Sequence, residues 1–309
     1  MSMNRTDFFF TSTVGDCEIH AARFEGMEKK AIFQITHGMA EYIDRYEDFI
    51  ASLVDAGFVV YAHDHIGHGK SVNSEYPLGY FGQSNSAGDV FVSDCKKLTD
   101  IAKSENPGLP VFFFGHSMGS FVARKYISLH GDDLAGAVLC GTGGPNPAAG
   151  IAIALASGFI KFKGPKAPGT VINSVAFGSY NNKTEKRTDF DWLTKKETIV
   201  DKYIADPFCG FCFSNQGFKD MLEMLVYINS KACYNQTPAN LPIFLIAGEQ
   251  DPVGSYGKGV ETVSNEYKKG HSNVTLKLYP DDRHELLNEL DKDTVKADVI
   301  DWCNNLLSK

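Results

Sequence analysis

Residues 111–119 read Val-Phe-Phe-Phe-Gly-His-Ser-Met-Gly: an unbroken apolar run that gives way to Gly115-His116-Ser117-Met118-Gly119 and then to a helix-like segment at 121–130. A short continuous apolar run is how a parallel strand covered on both faces reads. Glycines on both sides of Ser117 let the chain turn sharply enough to push a serine hydroxyl out above a sheet. Strand, G-x-S-x-G and helix in that order make a nucleophile elbow, and Ser117 is the candidate nucleophile. The plainer alternative is an ordinary helix N-cap, a position serine favours; the paired glycines argue against it.

A serine hydroxyl needs a base and a carboxylate that orients the base. The apolar run 241–247 opens into Gly248-Glu249-Gln250-Asp251-Pro252-Val253, so Asp251 is the candidate orienter. The next strand-like run, Val274–Tyr279, leads into Pro280-Asp281-Asp282-Arg283-His284-Glu285, and His284 is the candidate base ahead of a helix-like run at 286–290. Asp281 and Asp282 are rival acids, although both stand so near His284 in sequence that orienting its ring is awkward. Serine, then acid, then histidine is the chain order of the α/β-hydrolase fold.

The oxyanion of acyl transfer needs two backbone N–H donors, one after the nucleophile and one from the loop of an earlier strand. Met118 supplies the first by position. Ala31–Thr36 reads as the earlier strand and ends in His37-Gly38-Met39, which makes Met39 N–H the second donor. His37, Gly38, Glu41 and His116, beside these donors and the nucleophile, are expected to border the substrate.

Strands are read at 18–24, 31–36, 58–63, 111–115, 135–140, 242–247 and 274–279, with helices between most of them, which predicts a mostly parallel central sheet with helices on both faces. The alternation stops at Gly141-Thr142-Gly143-Gly144-Pro145 and resumes near Thr237. The core is therefore expected in two parts, 1–143 and 238–309, with a mainly helical cap inserted at 144–237. Within it the apolar stretch 148–162 is too short to cross a bilayer, which takes about 20 residues. It suits a lid lining an acyl pocket or a helix packed on its own domain. Lys161, Lys163 and Lys166 beside it suggest weak peripheral contact with an anionic membrane surface.

Taken together, His37-Gly38-Met39-Ala40-Glu41 with Arg45-Tyr46, Asp64-His65-Ile66-Gly67-His68-Gly69-Lys70-Ser71, the elbow, 248–253, and 279–285 with Asn288-Glu289 resemble the monoglyceride lipase and lysophospholipase branch of α/β-hydrolases, the serine aminopeptidase-like group. Residues 188–210 look most like bacterial lysophospholipase-type members. The resemblance implies Ser117, Asp251 and His284 as a triad, Met39 and Met118 as oxyanion donors, and no cofactor. It implies hydrolysis of small-molecule acyl esters such as monoacylglycerol or lysophospholipid through an acyl-enzyme. Short-chain or aryl esters are the alternative substrates; an aminopeptidase or a non-catalytic ligand-binding protein of the same fold are further readings. Tyr42 stands where such enzymes often carry histidine, and His65 or Ile66 where arginine is common, differences that bear on head group rather than reaction type.

Composition narrows the field. A formal net charge of −8 in 309 residues argues against nucleic acid as partner. Phe8-Phe9-Phe10 is too short for a signal-peptide core, which points to a cytoplasmic protein with its seven cysteines as free thiols. Cys209-Gly210-Phe211-Cys212 lacks the context of a redox or zinc motif, Gly69-Lys70-Ser71 lacks the first glycine of a phosphate loop, and Gly141-Thr142-Gly143 lacks the third glycine of a dinucleotide fingerprint. His63, His65 and His68 hint at metal, but His68 belongs to the loop already matched and no carboxylate or cysteine set completes a site, so no metal is expected. Oligomeric state is not legible.

Overall fold

The computed structural model describes residues 3–82 and 88–308. Their strands form one eight-stranded sheet, with β1 Asn4–Thr11, β2 Glu18–Glu25, β3 Ala31–Thr36, β4 Phe58–His63, β5 Val111–His116, β6 Gly136–Cys140, β7 Ile243–Gly248 and β8 Val274–Tyr279, in the order β1-β2-β4-β3-β5-β6-β7-β8. From β4 to β8 neighbouring strands are parallel, and β2 and β1 are antiparallel additions at one edge. The predicted mostly parallel α/β-hydrolase architecture is the observed one. Strand β1 was not anticipated: its Asn-Arg-Thr-Asp start is polar and charged, its apolar run is only Phe8-Phe9-Phe10, and as an edge strand it is largely exposed.

Helices cover both faces: α1 Glu47–Asp55, α2 Asp89–Glu105, α3 Met118–His130, α4 Ala149–Lys163, α5 Thr170–Phe177, α6 Glu197–Ala205, α7 Asn215–Ile228, α8 Lys231–Gln236, α9 Lys258–Lys268 and α10 Lys292–Leu307. The period-two alternation of a strand sorts the phenylalanines of β5. Phe112 and Phe114 join Phe33, Phe49, Leu53, Val295 and Val299 in the core beneath α1 and α10, whereas Phe113 faces α2, α3 and α9 with Phe91, Val122, Tyr126 and Val263. Each fully buried phenylalanine contributes about 1.5–3 kcal/mol of transfer free energy, enough to fix the register of the central strand. The second core runs on without a break into Ala156, Ile172, Phe213, Phe218 and Leu222. Helices α4 to α8 all lie between β6 and β7, and they pack on the sheet's α3 side rather than standing apart.

The helix-like run at 286–290 is instead a single 3-10 turn, Leu286–Asn288. Glu289 turns back to accept from Arg283 N–H at 3.0 Å and from Lys195 N–H at 3.2 Å, which stops helix growth until Lys292.

Candidate active site

Ser117 sits between β5 and α3 at φ 54°, ψ −121°, a strained conformation for a non-glycine residue that costs about 1–3 kcal/mol. Its N–H donates to Cys140 O at 2.9 Å, and its own carbonyl accepts from Ser120 N–H at 2.8 Å and Ser120 Oγ at 2.6 Å. The bracketing glycines are required by close approach. A Cβ on Gly115 would come within 2.2 Å of Gly119 O, and one on Gly119 within 2.2 Å of Thr36 O, so any side chain would wedge α3 away from β5 and β3.

Asp251 and His284 follow β7 and β8, neighbours in the sheet, and both are buried. His284 Nδ1 lies 3.0 Å from Asp251 Oδ2, while Asp251 Oδ1 accepts from Val253 N–H at 2.8 Å. The loop that holds Asp251 passes through left-handed backbone at Ser255 (φ 52°), Tyr256 (φ 57°) and Gly257 (φ 85°), and Tyr256 N–H closes it on Asp251 O at 2.8 Å. Asp281 is exposed. Asp282 is buried away from the imidazole, and burial together with its hydrogen-bonded neighbour Asp291 pushes its carboxyl up to about 7.

Met39 and Met118 sit at the ends of the two loops read as oxyanion donors, and their N–H groups have no acceptor among the described residues. Gly38 carries them close: a Cβ there would meet Glu41 Oε1 at 2.6 Å, Ser117 Cβ at 3.1 Å and His116 Nδ1 at 3.3 Å.

Three of the residues expected to border the substrate hydrogen-bond to protein groups. His37 is fully buried, with Nε2 accepting from His65 N–H at 2.9 Å and Nδ1 facing Gly38 O at 2.8 Å. Burial holds its pKa below the ordinary histidine value. Glu41 accepts from Gly38 N–H at 2.5 Å, Tyr46 Oη at 2.7 Å and Arg45 at 2.6 Å. Although burial opposes its charge, Arg45 and then His116 keep its carboxyl well below the usual carboxylate range. His116 lies between Glu41 and the carbonyl of His284, 3.3 Å from each. The physical reason is common to all three: a buried polar group is hydrogen-bonded, and these loops meet tightly enough to satisfy their own.

Several participants had no site role assigned from the sequence. Arg45 forks onto Glu285, beside the candidate base, with both bonds at 2.7 Å. The Trp192 ring stands 5.1 Å from that of His284. The segment around it is tied to the base loop: Glu285 N–H donates to Leu193 O at 2.7 Å, and Arg283 donates to Asp191 O at 2.8 Å and pairs with Glu185. Phe177 stacks on Trp192, and Tyr180 meets it edge-on. Aromatic residues between Gly141 and Thr237 were the available signal, but nothing local says which of them reaches the histidine.

The histidine cluster gains a member the sequence could not show. Cys95 of α2 joins His63 and His65, their ligand-type atoms lying within 4.8 Å of one another, while His65 Nε2 is engaged by Thr36 Oγ1 at 2.6 Å. All seven cysteines are free thiols. No helix among the described residues is long and apolar enough to cross a membrane.

Comparison with known proteins adds to this geometry. A family model described as serine aminopeptidase, S33 matches residues 27–291. The chain is 26% identical over 305 residues to a monoacylglycerol lipase of Mycolicibacterium smegmatis, covering 98% of each chain. It is 28% identical over 263 residues to human monoglyceride lipase, covering 84% of this chain and 77% of that one. A thermostable carboxyl esterase from Bacillus coagulans, solved in complex with glycerol, superposes with a TM-score of 0.91 at 32% identity, covering 99% of this chain and 100% of that one.

Proposed function

We propose, for a chain that belongs to the serine aminopeptidase S33 family of α/β-hydrolases and is a carboxylic ester hydrolase, that it releases fatty acid from monoacylglycerol or lysophospholipid by a Ser117–His284–Asp251 triad. The observation that carries this reading is the His284–Asp251 pair at 3.0 Å, with the His284 ring 4.8 Å from that of His116, the residue before the strained Ser117. Ser117 Oγ attacks the ester carbonyl carbon and passes its proton to His284 Nε2. Asp251 holds the other ring nitrogen and stabilises the imidazolium that forms. The tetrahedral oxyanion lies against Met39 and Met118 N–H. Its collapse expels the alcohol, which takes the proton from His284, and leaves an acyl-Ser117; water, activated by His284, then frees the carboxylic acid. None of these steps calls for a cofactor.

The cap, proposed as residues 144–237, supports the lipid substrate. Its outer surface exposes Ile151, Leu155, Phe162, Val171 and Val175, and no acidic residue occurs between Asp133 and Glu185, although the chain as a whole is acidic. An apolar and basic outer face suits peripheral contact with an anionic bilayer, where such substrates reside. A cytoplasmic location belongs to the same proposal. The second reading is a short-chain or aryl esterase; the likeness to a carboxyl esterase supports an esterase without setting chain length. An aminopeptidase would need a free acid for the substrate amine, and Glu41 already accepts from Gly38, Arg45 and Tyr46.

The test compares fatty-acid release from a long-chain monoacylglycerol with turnover of p-nitrophenyl butyrate, in wild type and Ser117→Ala. Ser117-dependent release from the monoacylglycerol is expected. Turnover of the butyrate alone would favour the short-chain esterase, and undiminished turnover by Ser117→Ala would overturn the triad.

A further inference from the structure

We infer that His116, the residue before the nucleophile, is held as an imidazolium and acts as a positioning residue that ties the oxyanion loop, the elbow and the base loop together; the inference rests on the Ser117 triad proposed above. The proton count follows from its neighbours. His116 Nδ1 is 3.3 Å from Glu41 Oε1 and 3.2 Å from Tyr46 Oη. Tyr46 O–H already donates to that same Glu41 oxygen at 2.7 Å. A carboxylate only accepts, and the tyrosine has given its proton away, so Nδ1 must carry hydrogen. His116 Nε2 faces the carbonyl of His284 at 3.3 Å. A carbonyl also only accepts, so Nε2 must carry hydrogen too, and a ring with two N–H groups is a cation.

Charge balance leads to the same state. Glu41, Arg45, His116 and Glu285 form one buried network, with side-chain exposures of 4%, 12%, 7% and 4%. Arg45 bridges both carboxylates, at 2.6 Å and 2.7 Å. One guanidinium against two carboxylates leaves an unbalanced negative charge, which is costly to bury; a charged His116 cancels it. Facing His116 are Glu41, Tyr46 and the His284 ring at 4.8 Å, with Glu285 and His37 acting over longer range. Burial opposes the cation, but the bond and charge of Glu41, joined by Glu285, outweigh it and hold the His116 pKa above the ordinary histidine value.

The arrangement bears on catalysis through what it holds. Glu41 Oε1, which receives His116, also receives Gly38 N–H at 2.5 Å, one residue before the proposed oxyanion donor Met39. The other side of the ring grips the backbone of the proposed base, His284. Removing the positive charge would leave net negative charge beneath the oxyanion hole, where the transition state places more of the same, and would release the His284 carbonyl.

His116→Gln keeps a donor of similar size and removes the charge. With p-nitrophenyl butyrate it should lower kcat by about 10- to 100-fold with KM nearly unchanged. The alkaline decline in wild-type kcat/KM caused by deprotonation of His116 should be absent from the variant. Ring ¹⁵N NMR, with the His116 signals assigned by their loss in His116→Gln or His116→Asn, should show both nitrogens protonated at pH 7 in wild type and equally in Ser117→Ala. A neutral His116 ring at pH 7 overturns the inference, and so does a His116→Gln enzyme with wild-type kcat and alkaline limb. The NMR reading needs no turnover, so a failed triad shows up separately, as activity retained by Ser117→Ala.

Discussion

Asp251 Oδ2 and His284 Nδ1 meet at 3.0 Å across the ends of β7 and β8, the only contact through which the imidazole is oriented by a carboxylate among the described residues. Asp251 is fully buried and its second oxygen is held by Val253 N–H, so the acid cannot swing away to water. In Asp251→Asn an amide takes its place and favours the wrong imidazole tautomer. Ester turnover should fall about 10⁴-fold while the melting temperature moves little. Asp282→Asn is the comparison, expected to stay near wild type; an equal loss there would move the orienting role to Asp282.

Gly38 is the tightest point of the proposed oxyanion loop. A branched side chain must displace Glu41 Oε1, Ser117 or His116, all within 3.3 Å of its first carbon. Gly38→Val should therefore misplace Met39 N–H and cost about 10²–10³ in kcat, with circular dichroism still reporting a folded protein. Normal turnover would remove Met39 from the oxyanion hole.

What the sequence made legible, and what it did not, follows from the range of the interactions. Residues 111–119 declare strand, turn and helix within nine positions, and Asp251 and His284 each follow a strand-like run, so the fold and the candidate site could be read from local pattern and chain order. Arg45 and Glu285 are 240 positions apart, and Cys95 reaches His63 only because α2 packs over the sheet; no local pattern encodes either contact. His37, Glu41 and His116 were read as substrate neighbours because they flank the chemistry in sequence. Whether a flanking side chain faces a ligand or its own loop is decided by packing. Strand β1 escaped notice for a different reason: only Phe8 and Phe10 pack on the core, while most of its other residues face solvent.

His20 makes fold stability depend on pH. Its Nδ1 lies 2.8 Å from Asp64 Oδ2 and its Nε2 2.7 Å from Asp7 Oδ1, which stitches β1 and β2 to the loop after β4. Burial opposes the charge, but Asp64 and then Asp7 raise the pKa above its ordinary value. A raised folded-state pKa means that this stabilisation is complete below the unfolded value of about 6.5 and is lost as pH rises through the folded value. Urea unfolding should show His20→Gln less stable than wild type by about 1.5–3 kcal/mol at pH 6, with the gap narrowing toward pH 9. A gap independent of pH would show that His20 acts by packing, not by charge.

The exposed stripe of α4 sets the last expectation. Ile151, Leu155 and Phe162 fall on one helical face and are 69%, 46% and 87% exposed, with the adjacent Lys161 and Lys163 also exposed. Entering a bilayer interface would bury each apolar side chain for about 1.5–3 kcal/mol, and each lysine near an anionic surface adds about 1 kcal/mol. Ile151→Asp with Phe162→Asp reverses both contributions without touching Ser117, Asp251 or His284. Flotation with phosphatidylserine-containing vesicles should show binding reduced at least about 10-fold, equivalent to about 1.4 kcal/mol. Release of fatty acid from vesicle-embedded monoacylglycerol should fall in parallel, while hydrolysis of dissolved p-nitrophenyl butyrate stays unchanged. If wild type does not float with the vesicles, the stripe is no membrane face; if the butyrate rate falls equally, these residues shape the catalytic pocket instead of bringing it to the lipid.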